Sequence, residues 1–293
     1  MTMIVVTGVS GALGGSILAG LRDLDELEVA GASSSGDGAQ VRHADFDRPD
    51  TLERAFEGAR VLVFVSAGYA EDDVVLARHG AVVRAAAGAG VEHVIYTSLA
   101  GSGEHLTIAL AHRWTEARLA EAPFDVTVLR NGLYAELPAD LALVGAAGAA
   151  ESGVFAAPFG QGRMSVVARE DLAAVAVRVA AEAWHDVVAG GSRRHAGRTY
   201  ELEGVSAVGG RELAGVLGEV LGQPVEYLPV SLGEVRPVLA GLEPYRAGHT
   251  VSTFANLGAG LLEARSSDLP AFLDAPRPVL DLIAAVVKSG VQG

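Results

Sequence analysis

The segment Met3–Gly15, MIVVTGVSGALGG, joins an apolar run, Ile4-Val5-Val6, to glycines at 8, 11 and 14 and then to Leu13, Ile17, Leu21 and Leu24. Apolar spacing changes there from that of a strand to that of a helix. A strand, a tight glycine turn and a helix opening directly behind it form the layout that seats a pyrophosphate on a helix N-terminus. Gly8 lets the chain leave the strand, Gly11 removes a side chain that would keep phosphate oxygens from backbone N–H groups, and Gly14 allows the helix to pack close to the sheet. In a chain with 37 glycines the triplet alone says little. Its place behind the first strand makes it a nucleotide signal.

The 293 residues suit one large or two closely joined domains, and half of them are apolar, enough for a substantial core. There is no cysteine, which excludes disulfides, thiol catalysis and thiolate-ligated metal and fits a reducing cytoplasm. No basic region precedes the first apolar run, which is too short for a signal peptide. Leu141–Ala150 is apolar but brief, bounded by Asp140 and Glu151, so no membrane span is expected. A formal net charge of −14 argues against nucleic-acid partners. Lys288 is the only lysine, so nearly all the positive charge is arginine.

Further strands are expected at 27–32, 41–44, 61–65, 91–97 and 124–129, alternating with helical stretches. This predicts an α/β, Rossmann-type doubly wound parallel sheet with right-handed crossovers and a ligand across the carboxyl ends of its strands. Small or polar residues cluster at those ends: Gly8, Ser33 with Ser34, Ser66 with Ala67, Thr97 with Ser98, and Asn131. Asp45 and Phe46, after the third strand, could bracket an adenine. Ser33 and Ser34 supply neither the carboxylate that would select NAD nor the arginine that would select NADP, so the choice between NADH and NADPH stays open. His79 reads as a structural histidine. A strand over 162–168 is expected to return to the main sheet, and Pro244, Tyr245 and His249 to lie in a loop.

The pieces TGVSGALGG (7–15), YTSL (96–99), LRNGLYAE (129–136), GQGRMSVVAREDLA (160–173) and YELEG (200–204) occur in order over most of the chain. On them the chain resembles the NmrA-like, atypical short-chain dehydrogenase/reductase family, in its NAD(P)H:quinone oxidoreductase branch. The resemblance implies a dinucleotide-binding domain, 1–134 plus about 162–190, and a smaller C-terminal α/β substrate domain, about 135–161 plus 191–293, with substrate in the cleft between them. It places the pyrophosphate on Gly8, Ser10, Gly11, Ala12, Leu13 and Gly14. Ser66, Ala67, Thr97, Ser98 and Asn131 would line the path to the nicotinamide.

One departure narrows the chemistry. Typical short-chain dehydrogenases place a lysine four residues after a catalytic tyrosine, and Lys288 is too near the C-terminus to serve any tyrosine here. A Tyr-Lys alcohol dehydrogenase mechanism is excluded. Reducing a quinone leaves a phenol-type oxygen with a pKa of about 10, tolerable as an anion beside a hydrogen-bond donor. The expected substrate is therefore a small aromatic or quinone, with Tyr134, Asn131, Ser98 and His112 as candidate donors. His112 and Glu116, four apart, share a helix face as an acid/base or surface polar pair, and with no third ligand apparent no metal site is expected. Tyr69 could cover an aromatic substrate. The rival function is a non-catalytic NmrA-type regulator that senses the dinucleotide; an isomerase with a tightly held cofactor is a weaker third. The residues leave a homodimer open.

Overall fold

The computed structural model describes residues 3–38, 41–68 and 70–292; Tyr69 lies outside them. In chain order the elements are β1 (Met3–Thr7), α1 (Ala12–Arg22), β2 (Val29–Ser33), β3 (Val41–His43), α2 (Leu52–Phe56), β4 (Ala59–Phe64), α3 (Asp72–Gly88), β5 (His93–Leu99), α4 (Ala109–Ala120) and β6 (Asp125–Asn131). Then follow β7 (Leu133–Tyr134), α5 (Glu136–Ser152), β8 (Val154–Ala157), β9 (Arg163–Val167), α6 (Arg169–Ala189), β10 (Arg198–Leu202) and β11 (Ser206–Gly209). The chain closes with α7 (Gly210–Leu221), β12 (Glu226–Pro229), α8 (Leu232–Leu239), α9 (Pro244–Gly258), α10 (Leu269–Phe272) and α11 (Val279–Gln292).

The chain packs as two compact units. The first comprises Met1–Leu99, Leu110–Asn131 and Glu170–Tyr200. Its sheet runs β10-β6-β5-β4-β1-β2-β3, with parallel pairing from β6 through to β3. The inner order β3-β2-β1-β4-β5-β6 is that of the doubly wound dinucleotide fold, which turns back between β1 and β4. Ile4, Val5 and Val6 of β1, Val61–Phe64 of β4 and every residue of β5 are buried, as expected of parallel strands covered on both faces.

The second unit comprises Ala100–Ala109, Gly132–Arg169 and Glu201–Gly293. It holds a three-stranded sheet, β11-β9-β7, and the parallel pair β12-β8. Residues 100–109, which interrupt the first unit in sequence, are held by carboxylates of the second. Gly101 N–H donates to Glu201 Oε2 at 2.8 Å, Ser102 N–H and Oγ donate to the two Glu203 oxygens at 2.8 Å, and Thr107 Oγ1 lies 2.6 Å from His249 Nδ1.

Two expectations are corrected. The strand over 162–168 does not return to the main sheet: β9 pairs with β7 and β11, while the place beside β6 is taken by β10. Pro244, Tyr245 and His249 belong to α9, not to a loop, because Pro244 stands in its first turn, where the missing N–H costs nothing. None of the helices of the described residues is long and apolar enough to cross a membrane.

One close backbone contact of the fold is at Gly14, in α1. A Cβ placed there would lie 2.4 Å from Gly8 O and 2.9 Å from Thr7 O, backbone atoms that cannot swing aside. Gly14→Ala is therefore expected to destabilise the protein by about 1–3 kcal/mol, read as a lowered Tm in thermal melts; an unchanged Tm would contradict this packing.

Candidate active site

The glycine turn leaves backbone N–H groups open at the start of a helix. Gly8 has φ +65°, in the left-handed region. Gly11 N–H closes the turn on Gly8 O at 3.0 Å, and the first intrahelical bond of α1 is Gly15 N–H to Gly11 O at 2.9 Å. The N–H groups of Ala12, Leu13 and Gly14 thus open the helix without an intrahelical acceptor. No acidic side chain sits in that first turn, so the positive end of the helix dipole meets no resident carboxylate. Ser10, Gly11 and Ala12 are exposed, and a Cβ on Gly11 would meet only Gly8 O, at 3.3 Å. These residues fit a pyrophosphate.

Beside the turn, β4 ends at Phe64 and its chain peels away from the sheet. The next backbone donors are taken up by side chains from separate elements. Val65 N–H donates to Thr7 Oγ1 at the end of β1, 3.0 Å. Ser66 N–H donates to Thr97 Oγ1 on β5, 3.0 Å. Ala67 N–H donates to His79 Nε2 on α3, 2.9 Å. Thr97 is thus turned inward, 2 % exposed, and acts on the neighbouring strand end instead of lining the path itself. Ser66 and Ala67 remain partly exposed.

Ser98 and His112 are likewise redirected. Ser98 is buried and its only hydroxyl hydrogen goes to Glu116 Oε1, 2.5 Å, so it has none left to donate to a substrate. Glu116 also accepts from Arg113 Nη1 at 2.8 Å and from Arg130 Nε and Nη2 at 3.0 and 2.7 Å. Burial pushes the Glu116 carboxyl up, but the bonds from Arg130 and Ser98 and the charges of Arg113 and Arg130 outweigh it and hold the carboxyl below its usual range. His112 does not pair with Glu116; its Nδ1 lies 2.9 Å from the hydroxyl of Tyr96 on β5. A shared helix face did not produce the pair, because the two arginines offer the carboxylate a better partner than a neutral ring.

Asn131, at the end of β6, is 5 % exposed, and its Oδ1 is buried with no hydrogen-bond partner among the described residues. It is an acceptor waiting for a donor. In the second unit, Tyr134 lies with the Arg169 guanidinium 5.1 Å from its ring centroid, and Arg169 Nη2 is 3.1 Å from Glu136 Oε1.

At the far end of the sheet, Ser33 is buried, with its Oγ 2.9 Å from Ser35 Oγ and accepting Ser35 N–H at 3.1 Å. It shapes its own turn, and Ser34 is the exposed member. Asp45 Oδ1 accepts Asp47 N–H, and Phe46 packs edge-on against Phe64, ring centroids 6.0 Å apart. Both support the strand-end loop. Sequence reasoning missed Thr7, Thr115, Arg113 and Arg130 as supports; a hydroxyl at the last position of a strand, as at Thr7, was the available signal.

A family model described as NAD(P)H-binding matches residues 12–183. Quinone oxidoreductase 2 of Escherichia coli (strain K12) is 32% identical over 239 residues, 78% of this chain and 78% of that protein. The NmrA-like family domain-containing oxidoreductase flvB of Aspergillus flavus is 30% identical over 281 residues, 90% of this chain and 86% of that one. Among solved structures, triphenylmethane reductase of Citrobacter sp., complexed with NADP(H), superposes with a TM-score of 0.82 at 28% identity, covering 98% of this chain and 99% of that one. Fold and site together define an NAD(P)H-dependent oxidoreductase. The chain belongs to the NAD(P)H-binding family, within its NmrA-like, atypical short-chain dehydrogenase/reductase group.

Two outcomes follow. Gly11→Val should fold normally yet abolish dinucleotide binding, measured by nicotinamide fluorescence titration; unchanged affinity would make the turn merely structural. Burial pushes His79 down to about 3, aided by the charges of His112 and Arg78, and pushes His93 and His112 down to about 4. These rings fold neutral and bind protons only when unfolded. Stability is therefore full above about pH 6.5 and falls toward pH 4, by up to about 1.4 kcal/mol per pH unit for each ring. Urea unfolding at a series of pH values checks this, and a flat profile between pH 7.5 and 5 contradicts neutral burial.

Proposed function

We propose that the protein reduces a quinone or a polycyclic aromatic compound, using NADH or NADPH. The observation that carries this reading is the state of Tyr96, in the middle of β5. It is 0% exposed, its hydroxyl is engaged with His112, and burial pushes its phenol up. Lys288, the single lysine of the sequence, lies on α11. No tyrosine of the chain has a lysine four residues after it, so the site suits substrates whose reduced oxygen can bear negative charge for a moment. Relatives named for quinone and triphenylmethane reduction support the same class.

Bound reduced nicotinamide supplies the hydride. The chain's part is to hold and to orient. The opening N–H groups of α1 take the pyrophosphate, and the partly exposed Ser66–Ala67 backbone passes alongside. Asn131 offers Oδ1 to a donor such as a carboxamide N–H. We assign Tyr134, three residues further along the chain, as the hydrogen-bond donor to the substrate oxygen, with Arg169 and Glu136 holding its ring. Ser33 and Ser34 favour neither dinucleotide. A cytoplasmic setting, in keeping with the cysteine-free composition, supplies either one. A role as tailoring enzyme of secondary metabolism fits the high arginine and alanine content.

The test mixes purified protein with NADH or NADPH and a panel of quinones while following loss of the reduced-nicotinamide absorbance. Turnover is expected with at least one acceptor. Tight cofactor binding without any turnover would replace the enzyme reading by that of a dinucleotide-sensing regulator. Tyr134→Phe should lower kcat roughly tenfold, the size of one hydrogen bond to developing charge, with cofactor affinity unchanged; a normal kcat removes Tyr134 from the site.

A further inference from the structure

His79 stands outside the chemistry assigned above, yet its ring is bonded at both nitrogens. It is 1% exposed, on α3, with its ring edge-on to Phe64 at 5.1 Å and to Tyr96 at 5.9 Å. Nε2 accepts Ala67 N–H at 2.9 Å, and Nδ1 lies 2.7 Å from Thr115 Oγ1 on α4. A backbone N–H can only donate, so Nε2 carries no hydrogen and the neutral ring has its hydrogen on Nδ1. Nδ1 then donates to Thr115 Oγ1, whose own hydrogen goes to Ala111 O at 2.7 Å. Every donor in the chain Ala67 N–H, His79 Nδ1–H, Thr115 Oγ1–H has one acceptor. The tautomer is fixed, and so is the direction of each bond.

We infer that His79 is a positioning residue for the dinucleotide: it sets the path of the Ser66–Ala67 backbone at the point where β1 and β4 part. The inference rests on the reading of that crevice as the cofactor site. Two observations carry it. Val65, Ser66 and Ala67 donate in turn to side chains of three different elements, and Ala67 is the last residue so anchored before Gly68. Beyond it the chain is exposed at Gly68. A phenylalanine would keep the ring packing on Phe64 and Tyr96 but could not accept the Ala67 hydrogen, whereas a glutamine can place Oε1 near Nε2. A packing role and a positioning role are therefore separable by substitution.

The experiment compares wild type with His79→Phe, His79→Gln and Thr115→Val. NADPH and NADH dissociation constants are read by fluorescence titration, and exchange of the Ala67 amide hydrogen by NMR without cofactor. In His79→Phe, Ala67 exchange should accelerate at least tenfold, with the β4 amides unchanged, and the dissociation constants should rise about tenfold. His79→Gln should stay within about threefold of wild type, and Thr115→Val should weaken binding about threefold to fivefold. Wild-type affinity in a folded His79→Phe protein overturns the inference, as does wild-type exchange at Ala67. If His79→Phe does not fold, Thr115→Val decides, and unchanged affinity there overturns it. Wild-type protein that binds neither dinucleotide would instead overturn the reading of the site, while the Ala67 exchange still reports on the brace.

Discussion

At the end of β4 three consecutive backbone N–H groups find side-chain acceptors in place of strand carbonyls. Where β4 leaves β1, Val65, Ser66 and Ala67 lose the carbonyls that a continuing parallel ladder would supply. A buried N–H without an acceptor costs about 1–3 kcal/mol, so an opening in a sheet needs its donors paired from elsewhere. Thr7 and Thr97, at the ends of the neighbouring strands, supply two acceptors, and His79 supplies the third from a helix. The gap can then stay open with its backbone satisfied.

Binding a polyanionic cofactor by a chain of net charge −14 looks unfavourable until the field is taken locally. The anion seat proposed at the start of α1 depends on opening N–H groups and a helix dipole with no carboxylate in the first turn, features that act over a few ångströms and are indifferent to net charge beyond the Debye length. Near the ends of β5 and β6 the same economy holds. Glu116 is matched by Arg113 and Arg130, leaving that cluster with one excess positive charge. His79 and His112 are held neutral by burial, so they add polarity without charge.

Much of the fold was legible because it is written in short-range pattern. The β1–turn–α1 unit, the continuous apolar run of β4 and the small residues at successive strand ends are local features, and their positions agree with the structure to within a few residues. The supports of the site were harder to read. Thr97 and Ser98 sit at a strand end, where a hydroxyl can face a ligand or a neighbouring segment, and only the packing of β4 and α4 turns them inward. The pairing of His112 with Glu116 followed from helical spacing, but the competing arginines include Arg130, on a different element. β9 was misplaced for a similar reason: its period is that of any strand, and the edge it would join was already occupied by β10.

By itself the sequence determined the class of fold and the strand–glycine turn–helix unit that opens it, because these depend on covalent adjacency and periodicity. Tertiary structure decided which polar side chains remain available and which are used up as supports. Ser66 and Thr97 are 31 residues apart, His79 and Thr115 36, and Val65 and Thr7 58. A hydrogen bond forms over about 3 Å whatever the sequence separation. No local pattern records which distant donor will arrive, so the partners of His79 emerge only once α3, α4 and β4 are packed.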